Sequence, residues 1–170
     1  LKRLCYKFHT NLIEKPTLVI SPLISLMVDL VMQMKLNGES HVSYIHSGMD
    51  EIEKRNHINQ ISQSRFIYLS PEFLLQPQNF KLISHLDFGL IVLDEAHCLS
   101  EWGYDFRPHY ALIGQITSHF KNARILALTA TAPPHLEEDL SHILSIDLNV
   151  IKTCMNIDKI SLQHKNFNDD

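Results

Sequence analysis

The chain has 170 residues, 45% of them hydrophobic, with a formal net charge of −4 and a pI near 6.3. This length allows one sizeable core, and the acidic balance argues against the broad basic face of a domain that holds nucleic acid by phosphate contacts alone. No apolar run approaches the roughly 20 residues of a membrane span, and the three cysteines are too widely spaced to indicate a disulfide framework or structural zinc.

Apolar runs alternate with amphipathic stretches along the chain. This repeat predicts an α/β fold with a mostly parallel sheet flanked by helices. Six runs are predicted to form strands, at residues 17–21, 42–46, 65–70, 90–93, 124–129 and 150–153.

Three main helices are predicted between the strands. The first ends at Asn37-Gly38, and its apolar residues recur at helical spacing: Leu23, Leu26, Met27, Leu30, Val31 and Met34. The second covers residues 50–61. Four of its residues are expected to face a core: Ile52, His57, Ile58 and Ile61. The third is expected to open at Pro133-Pro134 and to run to about Leu144, because proline suits a helix start.

An acid pair follows the fourth predicted strand. Asp94 and Glu95 come at the C-terminal end of a fully apolar run, where ligands of open α/β sheets bind. Hydrolysis of a nucleoside triphosphate needs one carboxylate that holds a metal ion and another that orients the attacking water. Asp94 fits the first role and Glu95 the second, although an isolated pair of this kind is also common in the first turn of a solvated helix.

The residues after the acid pair resemble those of RecQ-family DNA helicases. Four stretches carry the resemblance in the family's order: VISPLISLMVDL at 19–30, IYLSPEFLL at 67–75, DEAHCLSEWGYDFRPHY at 94–110 and ALTATA at 127–132. Many RNA helicases also contain DEAH, whereas a W-G-x-D-F-R-P loop directly after it is close to specific for RecQ. The resemblance implies the first RecA-like P-loop NTPase lobe of a helicase that uses ATP and Mg²⁺.

The aromatic-rich loop is expected, from the resemblance, to couple single-stranded DNA to the ATP site. Trp102 and Phe106 offer flat faces on which unpaired bases stack, Arg107 adds positive charge, and Asp105 belongs to the same loop. Tyr104 stands where the family usually has histidine; it keeps a planar polar ring but lacks the imidazole, which puts any coupling hydrogen bond at this position in question. The alternative is that Trp102 and Phe106 fill a core.

Two serines follow predicted strands. Ser21-Pro22 and Ser70 place a hydroxyl at a helix entrance, a geometry that receives a phosphate, and in the family these segments track the DNA backbone. As plain helix N-caps they would need no ligand.

The segment Thr129-Ala130-Thr131 follows the fifth predicted strand. It resembles the family segment that relays hydrolysis to DNA movement. The hydroxyls of Thr129 and Thr131 are expected to meet His97, the last residue of DEAH.

The chain contains no G-x-x-x-x-G-K-[ST] phosphate-binding loop. Aligning Leu4-Cys5-Tyr6 with the L-C-Y that follows this loop in RecQ proteins puts Lys2 at the loop lysine and Arg3 at its hydroxyl position. Either Lys2 reaches the ATP phosphates, or Lys2 and Arg3 are surface residues at a truncated end.

We therefore predict a first motor lobe over residues 1–155, lacking most of the P-loop and its strand, and an interlobe linker or disordered tail over 156–170. The predicted function is part of an ATP-dependent 3′–5′ helicase that acts on single-stranded and partly duplex DNA with a second motor lobe, the chain alone being inactive. The alternatives are a non-catalytic remnant or regulatory nucleic-acid-binding protein and, less favoured, an RNA helicase. The chain shows no secretory signal, so its expected location is intracellular, in the cytoplasm and nucleoid, or in the nucleus of a eukaryote.

Overall fold

The computed structural model describes residues 15–101 and 113–152. Its centre is a five-stranded parallel sheet with the strand order β2-β3-β1-β4-β5. The strands are β1 Thr17–Ile20, β2 Val42–Ile45, β3 Phe66–Leu69, β4 Leu90–Asp94 and β5 Arg124–Leu128. The predicted α/β fold with a parallel sheet is confirmed.

Seven helices and one 3₁₀ turn, Ile61–Gln63, connect and flank the strands in the described ranges. The helices are α1 Ile24–Leu36, α2 Glu51–Gln60, α3 Pro71–Leu74, α4 Pro77–Phe80, α5 His97–Glu101, α6 Ile113–His119 and α7 Leu136–Leu144. No helix in these ranges is long and apolar enough to cross a membrane.

The sheet is covered on both faces, which is why its strands are largely apolar. Val19 and Val92 point to the face covered by α1, where they pack with Met27 and Val31. The opposite face forms a larger core against α6, α7 and other helical residues, and its strand residues are Leu18, Ile20, Ile45, Ile67, Leu69, Ile91 and Leu93.

The chain leaves the neighbouring strands β1 and β4 in opposite directions. After β1 it crosses to β2 at one side of the sheet, whereas after β4 it continues to β5 at the other side. Such a reversal opens a crevice beyond the carboxyl ends of the two strands, and this is where open α/β sheets bind their ligands. Ser21 follows β1 and Asp94 ends β4, so both residues lie at this crevice.

Five of the six predicted strands are present with ends within one residue of the prediction, but the sixth is wrong. Residues 150–152 form no strand, and Val150 and Ile151 are exposed by 45% and 87%. Their side chains have no layer in the described structure on which to bury, so the apolar run alone does not make a strand. Thr153, the last residue of that run, lies outside the described ranges.

Three helix predictions need correction. Leu23 precedes α1 and is half-exposed, so the apolar stripe begins at Ile24. Ile52 is 76% exposed instead of core-facing, because six positions separate it from Ile58 and place the two about 120° apart around α2. Helix α7 begins at Leu136 instead of Pro133, since a residue that precedes a proline avoids helical backbone angles.

Candidate functional site

Asp94 lies at the crevice as the last residue of β4. It is only 5% exposed, and its Oδ2 accepts a hydrogen bond of 3.2 Å from the Ser21 hydroxyl. Burial, together with the charge of Asp94, raises the pKa of Tyr68 well above its ordinary value. Asp94 therefore places a negative charge at a nearly buried point of the carboxyl edge.

Glu95 has a backbone conformation that L-amino acids rarely adopt. Its φ is +49°, and the next residue's amide, Ala96 N–H, donates a 2.9 Å hydrogen bond to Leu128 O at the end of β5. This turn directs the Glu95 carboxylate to within 3.4 Å of His97 Nδ1, with the Glu95 side chain 14% exposed. Backbone strain of this kind is concentrated at functional sites, where the surrounding structure maintains it.

His97 joins the acid-pair turn to the segment after β5 through Thr129, one of the two threonines whose hydroxyls were expected to meet it. Its Nδ1 lies 2.8 Å from Thr129 Oγ1. The Thr129 hydroxyl donates to Thr131 O at 2.6 Å and accepts from Thr131 N–H at 3.2 Å. Because that hydroxyl proton is already engaged, Oγ1 accepts from His97, which assigns the proton of a neutral His97 to Nδ1.

Ser21 and Ser70 are both buried, with 2% and 0% exposure. The Ser70 hydroxyl accepts from Phe73 N–H, so Ser70 is the N-cap of α3, one of the two interpretations drawn from the sequence. The N-cap interpretation of Ser21 is wrong. Leu23 occupies the N-cap position of α1 without a side-chain cap, and the Ser21 hydroxyl is directed to Asp94.

Most of the remaining predicted site residues lie outside the described ranges. Pro22 is half-buried between β1 and α1. The other members of the predicted site lie outside the described ranges, namely Lys2 at the amino terminus and the loop residues Trp102, Asp105, Phe106 and Arg107. The predicted site residues that the structure brings together are therefore Ser21, Asp94, Glu95, His97 and Thr129.

The side-chain oxygen atoms of these residues are suitable ligands for a hard cation. Mg²⁺ binds to proteins through one or two carboxylates, keeps several waters and takes further oxygens from a nucleotide. Asp94 with the Ser21 hydroxyl beside it fits that pattern. The described residues contain no cluster of three or more histidine, cysteine or acidic side chains that would make a metal cage.

Sequence reasoning missed the contact between Ser21 and Asp94. The two residues are 73 positions apart, and only the adjacency of β1 and β4 brings them together. The available signal was the position of each residue directly after a buried strand, which places both at one edge of a parallel sheet.

Comparison with known proteins gives a family match across most of the chain. The family model described as DEAD/DEAH box helicase matches residues 2–139. The chain is 38% identical over 145 residues to a probable ATP-dependent DNA helicase RecS of Bacillus subtilis. It is 41% identical over 147 residues to the ATP-dependent DNA helicase RecQ of Pasteurella multocida. Each alignment covers 85% of this chain but only 29% and 23% of the respective relative.

Solved structures support the fold. A hypothetical ATP-dependent RNA helicase from Sulfolobus tokodaii superimposes with a TM-score of 0.59 at 21% identity, covering 79% of this chain and 39% of that one. The DEAD-box helicase Mss116 bound to single-stranded RNA gives a TM-score of 0.57 at 18% identity, covering 76% of this chain and 28% of that one. At these identities the likeness establishes the RecA-like fold alone, whereas the sequence relatives confirm the resemblance to RecQ.

Proposed function

The chain belongs to the DEAD/DEAH box helicase family, and from this membership we propose that it forms part of a motor that couples ATP hydrolysis to 3′–5′ movement along single-stranded DNA and to strand separation. The observation that supports this most is the buried Asp94 beside the strained Glu95 at the carboxyl edge of the sheet. The proposed DNA preference rests on the relatives, which are DNA helicases, and on the loop that begins at Trp102.

The proposed reaction is attack of water on the γ-phosphorus of ATP. Mg²⁺, when bound at Asp94 through water, would neutralise charge on the phosphate oxygens. Glu95 is placed to orient the attacking water, because its carboxylate is partly exposed and adjoins the metal-holding residue. Lys2 is the proposed contact to the phosphates from this chain.

The His97–Thr129 hydrogen bond is the proposed relay between nucleotide and DNA. It joins the acid-pair turn to the segment after β5, so a movement of the turn would displace that segment. The proposed DNA-facing residues are Trp102, Asp105, Phe106, Arg107, Thr131 and the Ser21-Pro22 and Ser70 segments. Since the hydroxyls of Ser21 and Ser70 are engaged internally, these two segments would meet the DNA backbone through their main chain.

We further propose that the 170-residue chain does not turn over ATP by itself. It lacks the phosphate-binding motif, and it spans about a quarter of the length of its curated relatives. In related phosphoryl-transfer enzymes an arginine supplied from opposite the nucleotide contributes about 10³–10⁵ in rate, and a second lobe is its proposed source here.

The direct test measures ATP hydrolysis by the full-length gene product without nucleic acid, with single-stranded DNA and with single-stranded RNA. We expect strong stimulation by DNA only, and unwinding of duplexes that carry a 3′ tail but not of those with a 5′ tail. Stimulation by RNA alone would instead support an RNA helicase. Binding of DNA without any hydrolysis would support the regulatory alternative.

A further inference from the structure

Helix α5 is hydrogen-bonded near each of its ends to an element that follows β5: the Thr129 segment at one end and α7 at the other. At its first residue, His97 bonds to Thr129. Near its last residue, the Ser100 hydroxyl donates a hydrogen bond to Asp139 Oδ2 on α7, 39 positions along the chain. The helix is only five residues long, and it separates the acid pair from the aromatic loop that begins at Trp102.

Helix α7 provides a fixed anchor for this second tie. Its residues Leu136, Leu140 and Leu144 are buried in the larger core, which also contains Leu99 of α5. On the other side α7 contacts α6, and a Cβ added at Gly114 of α6 would lie 2.0 Å from Ile143 O of α7. Asp139 projects from this packed helix and is half-buried, so its carboxylate is held where Ser100 meets it.

We propose that Asp139 is a positioning residue, which fixes the C-terminal end of α5 through Ser100 and so fixes the point from which the chain continues to Trp102. This inference rests on the proposed function, because the loop matters only if it couples DNA to hydrolysis. Movement of the Thr129 segment would shift the start of α5, while the Ser100–Asp139 bond keeps the other end in place.

A simpler role for Asp139 is to stabilise its own helix. The first turn of α7 holds Glu137, Glu138 and Asp139, and acidic residues there interact favourably with the helix dipole. The two roles predict different behaviour of Ser100. The dipole role does not involve Ser100, whereas the positioning role requires its hydroxyl as much as the Asp139 carboxylate.

The first experiment uses Trp102, which is the single tryptophan of the 170-residue chain and directly follows α5. Its fluorescence emission and quenching by acrylamide are compared in Ser100→Ala, Asp139→Ala and the double variant. We expect both single variants to shift the Trp102 signal in the same direction and the double variant to add nothing further. Asp139→Asn keeps an acceptor oxygen and should remain near wild type, as should the exposed matched control Glu138→Ala.

The second experiment places the same variants in the full-length gene product and measures hydrolysis with and without single-stranded DNA. Residues along a coupling path typically change the coupling by about twofold to thirtyfold, so we expect a loss of DNA stimulation in that range while the rate without DNA is retained. Asp139→Asn should recover most of the stimulation.

Three results separate the possibilities. An unchanged Trp102 signal in Ser100→Ala, with a lower melting temperature only for Asp139→Ala, would overturn the proposal in favour of the dipole role. Additive effects of the two single variants would also overturn it, because residues that act through one bond are not additive. If the wild-type full-length protein shows no stimulation by DNA, the proposed function fails, and the Trp102 measurement still decides whether Asp139 positions α5.

Discussion

The Ser21 hydroxyl donates a 3.2 Å hydrogen bond to Asp94 and thereby joins the carboxyl ends of the adjacent strands β1 and β4. Both side chains are nearly buried, with 2% and 5% exposure. A carboxylate in such surroundings needs hydrogen-bond donors, since an unsatisfied buried charge is costly. Ser21 therefore stabilises the Asp94 carboxylate directly, in addition to lying in the turn from β1 into α1.

Replacing Ser21 with alanine should destabilise the fold. Loss of a buried donor to a carboxylate costs about 1–3 kcal/mol in the free energy of unfolding. Urea unfolding of the 170-residue chain measures this value. The matched control is Ser25→Ala, an exposed position within α1, where stability should be unchanged or slightly higher because alanine favours helix. Equal effects at the two positions would show that the Ser21–Asp94 bond contributes nothing.

Gly114 allows α6 and α7 to approach closely. An added Cβ would lie 2.0 Å from the main-chain oxygen of Ile143, a contact that only movement of a helix relieves. Gly114→Ala should therefore lower the free energy of unfolding by about 1–3 kcal/mol or more, as overpacking of a core does. Gly48→Ala is the control, because the nearest atom to its Cβ, His46 Nδ1, is 3.4 Å away. A melting temperature of Gly114→Ala equal to that of wild type would show that α6 and α7 are not in the close contact that this structure shows.

His57 should make stability depend on pH. Burial lowers its pKa below the ordinary value, the charges of Lys35 and His46 lower it further, and Glu53 opposes them. Its Nδ1 is buried and has no hydrogen-bond partner in the described structure, which agrees with a neutral ring. The unfolded chain then binds more protons than the folded chain below about pH 6.5.

The stabilisation from neutral His57 is consequently present above about pH 6.5 and is lost as the pH falls through the folded-state pKa. His57→Gln should flatten the slope of unfolding free energy against pH in that acidic window. His85→Gln, at an exposed position, should keep the wild-type slope. Urea titrations at several pH values measure both slopes, and a wild-type slope in His57→Gln would assign the acid sensitivity to other groups.

The sequence predicted five strands because strands buried on both faces are largely apolar, and β3 and the first four residues of β4 follow this rule at every position. The resemblance to RecQ helicases also led to the expectation that the hydroxyls of Thr129 and Thr131 meet His97, and the Thr129 hydroxyl does so. The sequence did not predict the strand order, because side-chain patterns do not encode which parallel strands pair, and the Ser21–Asp94 contact depends on that order. The Ser100–Asp139 bond was missed for a similar reason: each residue alone looks like an ordinary polar position on a helix.

Glu95→Gln in the full-length gene product tests the central claim most directly. The amide keeps the size of the side chain but loses the charge that would orient the attacking water, and a positioned base contributes about 10²–10⁴ in rate. The measurement compares ATP binding with DNA-stimulated ATP hydrolysis in the variant and in wild type. We predict that ATP binding is retained while stimulated hydrolysis falls by about 10²–10⁴. Hydrolysis reduced by less than about tenfold, with binding intact, would contradict the assignment of Glu95 and place the catalytic base elsewhere.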